Sequence, residues 1–210
     1  MPLSSVVGAS SILKPGVCTS STRPAAPFEG QTIYETDTDR LLSYDGSAWI
    51  PYVKQTAGKV LQVVSTTKTD VTVLSPGATQ VDITGLSVSI TPSATSSKIF
   101  VIAYVSHIQN ITGALFLVRG STNIAIGDTA GSRIPATTGM NSNVAPSNNG
   151  IGSTSMFTLD SPSTTSSTTY KVAVRQTSGG TFTVNRSTTD TDNADHFRVA
   201  STITVMEISG

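Results

Sequence analysis

One cysteine, one tryptophan and two histidines among 210 residues leave few of the side chains on which catalysis, redox chemistry and metal binding usually rest. Cys18 has no second cysteine with which to close a disulfide in the chain. Its neighbours Lys14-Pro15-Gly16-Val17 and Thr19 bring no histidine or helix start to activate it, so a small, buried or half-buried thiol is expected. Charge is scarce too: 12% of residues, against about 25% in an ordinary soluble domain. Thirteen Lys and Arg balance thirteen Asp and Glu, and the basic residues form no cluster. Nucleic-acid binding, which rests on neutralising phosphates, is therefore not expected. No apolar run approaches a membrane span, so membrane insertion is not expected either. The start, Met1-Pro2-Leu3-Ser4-Ser5, lacks the basic residues and continuous apolar core of a secretory leader.

Hydroxyl groups fill the space that charge leaves. Serine and threonine make up roughly 30% of the chain, far above ordinary usage. Solubility then comes from hydroxyls and loops. The apolar residues show no helical period, and from Lys59 onward they recur in short runs separated by Gly, Pro, Ser and Asn. Strands are predicted over 60–65, 70–74, 79–83, 86–90, 98–107, 114–118, 123–126, 156–159, 170–176, 181–185 and 197–208. In 86–90, Leu86, Val88 and Ile90 alternate with Ser87 and Ser89, the pattern of a half-buried strand. Tyr170, Val172 and Val174 alternate in the same way, and Thr177-Ser178-Gly179-Gly180 after them predicts a hairpin to 181–185. Val199, Ile203, Val205 and Ile208 are core candidates in the last strand. About ten such strands make an all-β fold, an antiparallel β-sandwich of jelly-roll-like type over residues 58–210.

Two other segments precede it. Residues 1–22, rich in Ser, Val, Gly and Ala, read as an extended arm that orders on a partner. Residues 23–57 contain a small β-hairpin module. Gln31-Thr32-Ile33-Tyr34-Glu35 and Arg40-Leu41-Leu42-Ser43-Tyr44 are strand-like, with turns at Thr36-Asp37-Thr38-Asp39 and Asp45-Gly46-Ser47. A ribbon of this size is marginal alone. Its larger side chains, Ile33, Tyr34, Leu42, Tyr44, Trp49 and Tyr52, are therefore expected to be buried between copies of the chain, three around an axis. A sugar-stacking platform is the competing use of the same rings.

The candidates for chemistry are few. No Gly-x-Ser-x-Gly elbow is present, His107 ends an apolar strand, and no nucleophile is placed beside a base, so an enzyme is not expected. Asp190, Asp192, Asp195 and His196 lie in a polar segment that lacks the glycine and closing glutamate of a calcium loop. A solvated turn is favoured there, as it is for Asp37 and Asp39, and neither metal nor cofactor is expected. Residues 127–154 form a long polar stretch whose Asn141, Asn143, Asn148 and Asn149 could meet sugar hydroxyls. That stretch and the segment at 189–196 are the candidate loops for a receptor or partner. Asn110-Ile111-Thr112 and Asn185-Arg186-Ser187 match the glycosylation sequon.

The cassette also carries a resemblance. Arg23-Pro24-Ala25, Glu29-Gly30-Gln31, Ile33 through Arg40, and Tyr44-Asp45-Gly46-Ser47-Ala48-Trp49 resemble a module that recurs in tail fibres, head fibres and related appendages of tailed bacteriophages. Gly58-Lys59-Val60-Leu61-Gln62-Val63-Val64 and the phrase from Thr84 to Ser93 resemble the β-rich distal domains that follow this module in marine phages. The resemblance implies a non-enzymatic, homotrimeric protein of the virion surface. It would contact other capsid or tail proteins through its arm, and a host glycan or protein through its loops. A capsid decoration protein is the alternative within the virion, and a secreted carbohydrate-binding module the alternative outside it.

Overall fold

The computed structural model describes residues 15–52, 58–141 and 150–210. They form two compact units, one ending at Gln55 and the other beginning at Thr56.

The first unit is one four-stranded sheet in the order β1 (Gly16–Cys18), β2 (Thr32–Glu35), β3 (Arg40–Tyr44) and β4 (Trp49–Pro51). Strands β2, β3 and β4 pair antiparallel as the turn chemistry requires. Gly46 sits at φ 97°, a conformation that side-chain-bearing residues avoid. The Asp45 carboxylate fastens the same turn by accepting the Ser47 and Ala48 amides at 2.9 and 2.7 Å. Strand β1 corrects the expected arm: residues 16–18 pair parallel with β2, Gly16 opposite Ile33. The following turn is held to the hairpin, with the Ser20 amide and hydroxyl donating to Asp37. Residues 1–14 of the expected arm lie outside the described residues.

The second unit is an antiparallel β-sandwich. Its strands in chain order are β5 (Val60–Lys68), β6 (Thr72–Leu74), β7 (Val81–Ile90), β8 (Lys98–Gln109), β9 (Gly113–Arg119), β10 (Thr122–Ile124), β11 (Thr138–Met140), β12 (Gly152–Asp160), β13 (Thr168–Gln176), β14 (Phe182–Val184) and β15 (Ser201–Ile208). One sheet runs β10-β9-β13-β7, with β11 on β9. The other runs β5-β15-β8-β14-β6, with β12 on β8. Period-two alternation sends Leu86, Val88 and Ile90 of β7, Val101, Ala103 and Val105 of β8, Tyr170, Val172 and Val174 of β13 and Ile203 and Val205 of β15 into one core. No α-helix occurs among the described residues.

Several predicted features differ. The two strands predicted at 79–83 and 86–90 are one, β7, bent at Gly85, where the register against β13 slips. The predicted hairpin of 170–176 with 181–185 does not form, because β13 and β14 belong to different sheets. Gly180 lies against Asn110 and Ile111, so closely that a Cβ there would stand 2.3 Å from the Ile111 side chain. The chain crosses between sheets at that point. Ile208 faces outward and Val199 precedes the strand, so neither joins the core. The predicted long loop is partly structured: β11 pairs with β9, β12 already begins at Gly152, and Ala136 packs on Phe116, Val118 and Ala173.

Two buried polar side chains tie the strands' ends together. Asn185, at φ 68° and fully enclosed, donates its amide to the Lys68 and Asp70 carbonyls at 2.8 and 3.0 Å and accepts from the Ser201 hydroxyl at 2.7 Å. Glu207, also fully enclosed, accepts from Ser93 (amide 2.7 Å, hydroxyl 2.6 Å), the Ser97 hydroxyl (2.6 Å) and the Gln62 amide (2.6 Å). Burial pushes its pKa up, but these donors outweigh burial and bring it down to about 2. His107 is held low by burial from its ordinary 6.5, so it stays neutral.

Both groups have folded-state values below their unfolded ones, so the stability they confer is present at neutral pH and lost on acidification. The loss is expected to begin as pH falls below 6.5, where an unfolded histidine charges, and to continue from 4.5 towards about 2 as Glu207 takes up a proton. Melting temperature followed from pH 8 to 3 checks this. Glu207→Gln should flatten the slope below 4.5 while costing about 1–3 kcal/mol at neutral pH through poorly met donors.

Candidate functional site

The cassette residues expected at one interface divide between two faces of the small sheet. The register places Leu42 beside Ile33 and Pro51, and Tyr44 beside Trp49, on one face. Ile33 and Leu42 are buried within the chain itself, which removes them from the expected interface. Tyr44 and Trp49 pack on each other with ring centroids 5.4 Å apart. Glu35, on this same face and buried, is neutralised by Arg23 and accepts the Thr38 hydroxyl at 2.8 Å. The hydrogen bond from Arg23 is the main reason its carboxyl stays below the ordinary range. The ribbon therefore encloses a small interior of its own.

Tyr34 lies on the opposite face, beside Val17 of β1 and Leu41 of β3, and its hydroxyl donates to Asp39. Ile50 continues that face opposite Ser43. Val17 is 69% exposed, Leu41 and Ile50 are also exposed, and Tyr52 beyond β4 is 69% exposed. This outward row is the cassette's candidate contact surface. Leu41 and Ile50 were readable from alternation with Leu42 and Trp49. Val17 was not, because it reaches the row only through a parallel pairing with Tyr34, seventeen residues further along the chain.

In the sandwich, one of the two candidate loops reaches the end of β8 through the Asn141 backbone. Gln109 donates to the Asn141 carbonyl at 3.1 Å. It also borders a cavity of about 470 Å³ with Ile108, Asn110, Thr181, Thr183, Arg186 and Thr188. Ile108 and Thr183 face each other across β8 and β14 on the outer side of the sheet. The wall combines hydroxyl, amide and guanidinium groups on an apolar floor, a set suited to hydrogen-bonding a polar, uncharged or acidic group. His107 points to the other side, stacked on Phe182 at 5.1 Å and bonded to Gln109 and Thr154 at 2.6 and 2.9 Å. It is a core histidine. Asn143, Asn148 and Asn149 lie outside the described residues.

The acidic segment folds on itself. Asp190 pairs with Arg198 and lies 3.8 Å from the Arg186 Nε. The Asp195 amide donates to the Asn193 side chain at 3.0 Å, and a His196 ring nitrogen lies 3.2 Å from the Thr191 carbonyl. Asp190, Asp192 and His196 border a second, smaller cavity of about 290 Å³ with Phe197 and Arg198. Among the described residues no three His, Cys, Asp or Glu side chains are grouped as metal ligands.

No family model matches the chain, and no curated protein matches it. Among solved structures, the VP2 subviral particle of infectious bursal disease virus overlaps 89% of the chain at 12% identity with a TM-score of 0.31. The chain spans half the length of that capsid protein. At that score the likeness carries no weight for fold or role.

If the ion pairs hold the 186–198 segment against the sheet, Asp190→Asn should loosen it without unfolding the core. Amide exchange within 187–200 should quicken, while the melting temperature falls by an amount equivalent to no more than about 1 kcal/mol, as befits half-exposed pairs. Unchanged exchange would place the restraint in the backbone instead.

Proposed function

We propose that this chain is a non-enzymatic structural protein of a tailed-phage virion, a homotrimeric appendage on the particle surface that serves assembly and host attachment. The observation that carries the reading is the cassette. Its sequence resembles the appendage module, and its sheet leaves Val17, Tyr34, Leu41 and Ile50 on an unpaired outer face. A sheet of four short strands gains little stability from its own interior. Bringing the outer rows of three copies together about an axis buries them without a further partner.

In this reading the residues ahead of the cassette join the protein to another capsid or tail protein. The loops at 127–154 and 189–196, and the polar cavity at the end of β8, meet the host glycan or protein. Loops suit that task because the sandwich fixes their position while their side chains remain free to vary. A decoration protein of the shell would use the cassette in the same way and differ in where its first residues are anchored.

Sedimentation equilibrium of the full chain should return three times the chain mass. Leu41→Glu with Ile50→Glu should weaken that assembly at least tenfold, since charges would then face one another around the axis. Antibody labelling of intact particles should decorate their surface. A monomeric chain that is missing from purified particles would overturn the proposal.

A further inference from the structure

The outward faces of the two sandwich sheets are treated differently by the chain. On the five-stranded sheet, Phe116, Val118 and Ala173 point away from the core, yet they are buried, with Ala114 of β9 and Ala136 of the 125–137 connection packed against them. On the six-stranded sheet, the end carrying Ile108 and Thr183 is walled by Arg186 and Thr188, and the Ser106 hydroxyl donates to the Ala200 carbonyl at 3.2 Å. The rest of that face, across β5, β15, β8 and β12, is bare among the described residues.

The register makes the bare face continuous. Val63, Met206, Phe100 and Leu159 stand side by side on four successive strands. In the next row Ile102 of β8 lies beside Phe157 of β12, with Thr204 and Ser65 completing the line. Tyr104 follows in the third row, between Thr202 and Ser155. Phe157 is 69% exposed, Leu159 57% and Val63 55%. In these three rows no charged residue occurs. The first charge is Lys98 at the lower end, where its ammonium donates to Ser161 at 2.8 Å.

We infer that this face is a contact between copies of the chain, so that the sandwiches associate with one another as well as the cassettes. The inference rests on the oligomeric reading above and adds to it a second surface. Two arguments select a second copy as the occupant. The first is charge: an uncharged sheet face is matched by another uncharged face, and the chain supplies one in every copy. The second is area. Three rows about 6.8 Å apart along four strands about 4.8 Å apart give roughly 400 Å² per copy, so two copies bury about 800 Å², a contact that adds to the one through the cassettes instead of standing alone. The chain covers the equivalent residues of its other sheet with its own loop.

The test uses the full chain. Phe157→Glu and, separately, Val63→Glu place a charge on two different strands at sites already exposed, so a folding defect common to both is not expected, and melting curves check this. Each should lower the association constant at least tenfold by sedimentation, whereas Ser89→Glu on the outer side of the other sheet should not. In a Cys18→Ser background, Phe157→Cys should cross-link between copies with a short bismaleimide, and Ser89→Cys should not. A wild-type oligomer that both glutamates leave intact, with no cross-link, overturns this contact while leaving assembly through the cassette in place. A wild-type chain that stays monomeric at all concentrations overturns both.

Discussion

Each strand of the sandwich has two faces, and the inner faces alone do not use up the chain's apolar side chains. The core absorbs Val101, Val105, Val172, Val174, Ile203 and Val205 by simple alternation. Phe116 and Val118 then fall on the outside of one sheet, and Phe100, Ile102, Phe157 and Leu159 on the outside of the other. Water penalises both sets equally, at about 25 cal/mol for each Å² left exposed. The 125–137 connection answers the first set by laying Ala136 over it. Nothing among the described residues answers the second. The small sheet repeats the situation: Ile33 and Leu42 are enclosed, while Val17 and Leu41 are left outside.

The polar groups inside the sandwich serve geometry. Asn185 occupies a left-handed backbone conformation at the point where the chain leaves β14, and its amide donates to the Lys68 carbonyl at the end of β5 and to the Asp70 carbonyl just beyond it. Glu207 does the same at the opposite end of β15, collecting donors from the connection between β7 and β8 and from β5. Without these side chains the buried groups would lose hydrogen bonds, each costing about 1–3 kcal/mol. Both are committed to fixed partners, and so is His107 between Gln109 and Thr154. Around the cavity at the end of β8, Thr181 and Thr188 are exposed, while the Asn110 side chain accepts the Thr181 amide at 2.9 Å.

The strands were legible in the sequence because burial on one side imposes a period of two, and Leu86, Val88, Ile90, Tyr170, Val172 and Val174 obey it. The turns were legible where they need particular chemistry, as at Asp45-Gly46-Ser47. The all-β class followed from these two local rules. Strand pairing did not follow, since alternation records that a face is buried and not against which sheet. Residues 170–176 and 181–185 look like a hairpin by pattern and turn residues. They part because Gly180 is pressed against Ile111 and the second strand pairs with β8 and β6 instead.

Residues 16–18 carry too little pattern to be read as a strand, and they become one only because β2 offers a free edge. Likewise, the polar stretch after Ile124 shows no signal of its own, yet the outward Phe116 gives Ala136 something to cover. Composition and alternation thus determined, unaided, that the chain is a low-charge β-sandwich joined to a small hairpin module. Which apolar faces the chain covers and which it leaves open was decided by long-range pairing, where residues far apart in sequence become neighbours and the solvent penalty is shared among them.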